Sequence, residues 1–124
     1  MGLPKPYRLR QRRDFHKVYQ SGLRRTGEYV ILRALFDSVT DTENNPVPSC
    51  IGISISQKVD KKAVIRNRIK RQIRVAMRTL LPRIPPGWKM VIVVRPSCSP
   101  ECNYAKLLIE LEQLLLQAEV IHGY

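Results

Sequence analysis

Between residues 62 and 78 a cation recurs at every fourth position: Lys62, Arg66, Lys70, Arg74 and Arg78. On a helix that spacing lines them along one side. Asn67 and Arg71 widen the stripe, and Arg68 flanks the apolar face on the other side. Like charges one turn apart cost an isolated helix a few tenths of a kcal/mol per pair, so the stripe is unfavourable until something anionic neutralises it. A phosphate backbone reverses that cost. Arginine suits the task because its planar five-donor fork can hold two phosphate oxygens, or a phosphate and a base edge, in fixed geometry.

A second constellation lies near the start of the chain. Phe15 and Tyr19, one helical turn apart, sit among Arg8, Arg10, Arg12, Arg13 and Lys17. Aromatic rings interleaved with cations can grip single-stranded RNA, each stacked base contributing about 1 to 3 kcal/mol without demanding a sequence. The same spacing with Val18 equally fits ordinary core packing, and one ring can serve both ends. Groups able to cut RNA are missing. The chain has no glycine-rich phosphate loop and no Ser/His/Asp or Cys/His arrangement, and its carboxylates are too few and scattered for a two-metal nuclease site. Cys98 and Cys102 lack a matching second pair of ligands, with His16 and His122 distant in sequence, so zinc is not expected.

Elements must position these groups. Phe15, Val18 and Tyr19 mark a short helix over Arg12–Ser21 that stops at Gly22. Tyr29–Leu35 reads as a largely buried strand, and Cys50–Ser56, alternating Ile51, Ile53 and Ile55 with small residues, as a strand with one packed face. These two strands are expected to pair, with a third between or beside them, and the polar stretch Asp37–Pro48 is expected to be a loop. Lys61–Leu81 carries Ile65, Ile69, Ile73, Ala76, Met77 and Leu80 on one face and ends at Pro82. Met90–Val94 is a short buried strand, and Asn103–Glu119 a terminal amphipathic helix. The expected fold is therefore one α+β domain over residues 1–124, helices packed on a small sheet, in the order α-β-β-(β)-α-β-α.

Charge narrows the partner. The 124 residues carry 22 Lys and Arg against 10 Asp and Glu, a net +12. The excess is gathered: residues 1–34 hold nine bases against two acids, and residues 58–89 eleven against one, while the remaining stretches are acidic. Gathered charge is an electrostatic footprint for a polyanion. No apolar run approaches the roughly 20 residues that span a bilayer, so no membrane partner is expected. An odd number of cysteines and no signal-peptide pattern point to a reducing cytoplasm. From the residues alone two readings stay open: the protein cofactor of an RNA enzyme, or a structural RNA-binding protein such as a ribosomal protein.

The segment Ile65-Arg66-Asn67-Arg68-Ile69-Lys70-Arg71-Gln72-Ile73-Arg74 resembles the Arg-Asn-Arg signature of the bacterial ribonuclease P protein family. Ile51–Val59 is similar to the strand leading into that helix, and Arg8-Leu9 with Asp14–Gly22 to the family's first helix. The resemblance implies a cytoplasmic ribonucleoprotein in which a catalytic RNA, with Mg2+, hydrolyses precursor tRNA to leave the mature 5′ end, without an obligate protein partner. It implies that Arg66, Asn67, Arg68, Lys70, Arg71 and Arg74 face the catalytic RNA; Lys62 and Arg78, which continue the charge stripe, are expected RNA contacts on that spacing. It further implies a mixed sheet with a left-handed βαβ crossover, and a cleft lined by Phe15, Tyr19, Ser54, Ser56 and Lys58, flanked by Arg12 and Lys17, that grips the single-stranded 5′ leader. Two departures stand out: a longer turn at Val59–Val64, and no aromatic residue deep in the cleft near Leu32 or Arg33, where Tyr29 is a candidate replacement.

Overall fold

The computed structural model describes residues 8–9, 11–36, 48–99 and 103–121. The polar segment 37–47, Arg10, Cys102 and His122 lie outside the described residues. In chain order the elements are α1 (Arg12–Ser21), β1 (Leu23–Thr26), β2 (Val30–Phe36), β3 (Cys50–Ser54), α2 (Ala63–Leu80), β4 (Trp88–Val94) and α3 (Tyr104–Gln117). The third expected strand is β1.

One sheet holds all four strands in the order β1-β2-β4-β3. The expected pairing of β2 with β3 is therefore wrong, because β4 lies between them, antiparallel to β2 and parallel to β3. The reason is visible in β4 itself. Met90 and Ile92 point to one face and Val91 to the other, all fully buried, so an uninterrupted apolar run occupies the position covered on both sides.

The two faces differ. Val30, Leu32, Ala34, Ile51, Met90, Ile92 and Val94 turn toward α2 and α3 and merge with Ile69, Ile73, Ala76, Met77, Leu107, Leu111 and Leu115 in the main core. Among the described residues the opposite face carries only the helix α1, which seats Val18 with Leu9 and Val91 in a smaller cluster edged by Phe15, Leu35, Cys50 and Val93. Gly52 makes this seating possible: a Cβ there would stand 2.4 Å from the Phe15 ring. Lys89 on β4 pairs with Asp14 in the first turn of α1 at 3.3 Å and fixes the helix from its other flank.

The hand of the β3–α2–β4 crossover follows from Ile51. Its side chain enters the core beneath α2, while its carbonyl accepts from the Leu9 amide at 3.0 Å on the outer edge, away from β4. For an L residue in a strand drawn upward with its side chain toward the viewer, the backbone polar groups point right. β4 then lies to the left of β3 with α2 in front. The crossover is left-handed, against the general rule, as the resemblance implies.

Two polar staples lock the turns. The Glu110 carboxylate on α3 accepts the amides of Glu28, Tyr29 and Val30 at 2.8 to 2.9 Å, and Gly27 leaves the space for it. Arg95 donates to the Gly27 carbonyl at 2.6 Å from the adjoining strand end. Cys98 is fully buried and disulfide-bonded, a state the cysteine spacing does not predict, whereas Cys50 is not in a disulfide and burial pushes its thiol above the ordinary value.

Candidate nucleic-acid interface

The basic helix begins at Ala63, with Lys62 as its extended N-cap residue, so Val59–Lys62 precede it and the last two residues of the expected turn, Ala63 and Val64, already belong to it. No side chain caps the first turn from the N-cap position. Instead Asp60 Oδ1 accepts the Lys62 amide at 2.9 Å and Oδ2 accepts the Ser99 hydroxyl at 3.0 Å, tying this turn to the loop after β4. The Lys62 amide first, and then the Ser99 hydroxyl, hold the Asp60 carboxyl below its ordinary value. A depressed folded value means a contribution to stability that is complete above the unfolded value and lost as pH falls through the folded one. On acidification the first turn of α2 should therefore loosen only below the ordinary aspartate range. Backbone amide shifts of Lys62 to Arg66 followed by NMR should reproduce the Asp60 titration, and Asp60→Asn should abolish it.

The cations of α2 do not form a straight stripe. Positions four apart advance by about 400° at 3.6 residues per turn, so the row drifts by about 40° at each step. It starts beside the core, where half-buried Arg66 donates Nη1 to the carbonyls of Asp60 and Lys61, each at 2.9 Å. It ends at exposed Arg78. Arg66 is thus committed in part to the turn. The face pointing outward consists of Asn67, Arg68, Arg71 and Arg78, with Val64 79% exposed at its head. Lys70 and Arg74 are half-buried along its edge. Among the described residues no cation of α2 pairs with a carboxylate; the ion pairs are Arg83–Glu112 and Lys89–Asp14. The helix therefore presents guanidinium groups that no carboxylate among the described residues neutralises, and an external anionic surface would relieve their local repulsion.

Sheet register places the second constellation. On the α1 face, Cα pairing aligns Gly52, Val91, Arg33 and Arg24 in one row and Ser54, Val93, Ile31 and Thr26 in the next. α1 covers the first row at its β3 end, and the second lies beyond the helix as the floor of a trough, with Ser54, Ile31 and Val93 half-buried and Thr26 exposed. Arg12, Phe15 and Tyr19 share the side of α1 that borders this floor. Phe15 packs against Gly52, where an added Cβ would meet its ring, and it also lines a cavity of about 180 Å³ shared with Arg8, Ile53 and Arg74. Tyr19 is 37% exposed.

Not every residue expected in the cleft borders the trough. Lys17 is on the opposite flank of α1 from Phe15 and Tyr19, since two helical positions turn the side chain by about 200°. Leu32 and Tyr29 are buried in the main core beneath α2 and α3, so neither enters the trough. Arg33 does: its guanidinium lies 4.8 Å from the Tyr19 ring centroid, and Nη1 donates to the Tyr19 carbonyl at 3.2 Å. Ser56 and Lys58 lie beyond the end of β3, exposed at the trough mouth, with the Ser56 hydroxyl accepting the Lys58 amide at 3.3 Å. Ile31, Val93, Thr26 and Arg24 were not foreseen, although a period of two counted outward from Arg33 and Ser54 selects them.

Residues 3–119 match the sequence model of a family described as Ribonuclease P. The chain is 52% identical over 124 residues to the ribonuclease P protein component of Microcystis aeruginosa, covering all of both chains. It is 48% identical to the corresponding component of Nostoc sp. (strain PCC 7120), covering 100% of this chain and 99% of that one. Among solved structures, the RNase P protein of Thermotoga maritima superposes with a TM-score of 0.74 at 27% identity, covering 94% and 98% of the two chains.

Proposed function

The chain belongs to the ribonuclease P protein family, and as a protein component of that enzyme, with a role in tRNA 5′ processing and a ribonuclease P RNA as its partner, we propose that it works through two surfaces on opposite sides of its sheet. The outward face of α2 anchors the catalytic RNA, and the trough beside α1 holds the single-stranded leader of precursor tRNA. The observation that carries this reading is the row of exposed, unneutralised arginines Arg68, Arg71 and Arg78 on one side of a molecule whose other side leaves Phe15, Tyr19 and a half-buried strand row open. A structural RNA-binding protein needs the first surface but not the second.

Cleavage is assigned to the RNA. Among the described residues no three His, Cys, Asp or Glu side chains gather where a metal ion could sit, and both surfaces are lined by guanidinium and ammonium groups that repel a divalent cation. The donor set of the described residues does not fit magnesium, so Mg2+ belongs in this reading to the catalytic RNA. What the protein contributes is positioning: with the RNA held on α2 and the leader in the trough, the reacting phosphodiester is delivered as part of a pre-oriented complex.

Reconstitution tests this division of labour. The protein alone with Mg2+ should leave precursor tRNA intact, whereas its addition to the catalytic RNA should lower the Mg2+ concentration needed for half-maximal cleavage and tighten binding of precursor relative to mature tRNA. Cleavage by rigorously RNA-free protein, or equal tightening for precursor and mature tRNA, would overturn it.

A further inference from the structure

We infer that Arg33 and Arg24, with the Tyr19 ring, form an anion clamp at the β1 end of the trough that takes a backbone phosphate of the bound single strand, at the leader nucleotides farthest from the cleavage site. The inference rests on the trough reading given above.

Three observations converge on these residues. Arg24 and Arg33 are direct cross-strand partners on the α1 face, where Cβ atoms stand about 5 Å apart and like charges repel. Neither is in an ion pair, so among the described residues the protein holds two guanidiniums side by side with no carboxylate between them. Arg33 is moreover fixed. Its guanidinium stacks over Tyr19 at 4.8 Å and spends one donor on the Tyr19 carbonyl, leaving the rest of its fork free in a defined orientation. A pair of unneutralised cations, one of them pre-oriented on an aromatic plate, fits a phosphate oxygen pair. Tyr19, 37% exposed, can at the same time offer ring surface to the adjoining base.

Location gives the clamp its place along the strand. From Ser54 on β3 to Thr26 on β1 the floor crosses three strand spacings, about 14 Å. At about 3.4 Å per stacked nucleotide, roughly four nucleotides lie between its ends. The β3 end adjoins α2: the cavity there is lined by Phe15 from the trough and Arg74 from the basic helix. The catalytic RNA is assigned to α2, so the nucleotides next to the cleavage site occupy the β3 end and the clamp meets the distal ones.

The test uses the reconstituted holoenzyme and precursor tRNAs whose leaders are lengthened one nucleotide at a time. Wild-type affinity should rise until the leader spans the floor. Arg24→Gln and Arg33→Gln should match wild type on the shortest leaders and bind about fivefold and about tenfold more weakly, respectively, once roughly four nucleotides are present. Methylphosphonate substitution of the distal leader phosphates should weaken wild type at least as much as either variant is weakened, and should weaken each variant by less than it weakens wild type, the signature of a direct pair in a double-mutant cycle. Because Arg24 is exposed and, among the described residues, it is Arg33 that stacks on Tyr19, the Arg24 variant reports on the clamp even where Arg33→Gln disturbs the helix. Losses equal at every leader length, or a length-dependent gain that both variants retain in full, would overturn the clamp alone. A wild-type affinity indifferent to leader length would overturn the trough reading and the clamp with it.

Discussion

Replacing Arg68 and Arg71 together by alanine should weaken assembly with the catalytic RNA by about a hundredfold, while the protein's own thermal midpoint stays level or rises. Each is an exposed guanidinium on the outward face of α2 with no partner among the described residues, so nothing inside the protein is lost with it. A hydrogen bond to a charged group contributes about 1.5 kcal/mol or more. Two such losses come to about 3 kcal/mol, which is a factor of about a hundred in the dissociation constant. Removing like charges three positions apart also relieves repulsion within the free helix by a few tenths of a kcal/mol. The slope of log affinity against log salt should fall by about 1.5 if each arginine meets one phosphate. Electrophoretic mobility shift at several salt concentrations gives both quantities. A fall in melting temperature matching the loss of affinity would assign these side chains to the fold instead.

Glu110→Ala should be the most damaging single substitution outside the apolar core, costing about 2 to 3 kcal/mol. One carboxylate accepts three consecutive amides, of Glu28, Tyr29 and Val30, and the last two are partly buried. Truncation leaves those donors without an acceptor at a cost of about 1 to 3 kcal/mol each where water cannot replace it, and much less at exposed Glu28. For a domain of this size the midpoint should fall by about 10 °C, read by calorimetry or circular dichroism. Glu110→Gln should recover only part of it, because one acceptor becomes an NH2 group facing a backbone N–H. Since the turn between β1 and β2 carries Arg24 and Thr26 at its start and Ile31 and Arg33 at its end, the same variant should also lose affinity for long-leader substrates even below its melting point.

The sequence made some of this architecture legible and hid the rest for definite reasons. The residues Phe15, Val18 and Tyr19 alone place α1 over Arg12–Ser21, and the apolar period from Ile65 to Leu80 places α2 to within two residues. β1 is different. Leu-Arg-Arg-Thr has no strand pattern of its own and is extended because Leu23 to Thr26 pair with Ile31 to Ala34. Strand adjacency is not legible in the same way, because alternation shows which side chains share a face but not which strand lies beside which. The apolar run of β4 on both faces was the available sign of a central position. Glu110 carried no local signal at all, since the amides that it binds are 80 or more positions away. In the trough, sequence narrowed the missing aromatic to the neighbourhood of Leu32 and Arg33, and the two-residue period then separates them: Leu32 faces the core and Arg33 the trough.

The place of β4 bears on how the chain reaches this state. During synthesis both of its neighbours leave the ribosomal tunnel first, and α2 follows them with its apolar side still lacking the Met90 and Ile92 surface on which it will settle. Until the seven residues Trp88–Val94 arrive, β2, already paired with β1 on its other side, and β3 each keep a bare edge that no local hairpin covers. Sheet completion is therefore one late, nonlocal event that joins two ladders at once, and topologies of that sort fold slowly. A nascent chain of this protein spends its vulnerable interval with a polycationic helix already emerged and its docking floor still to come.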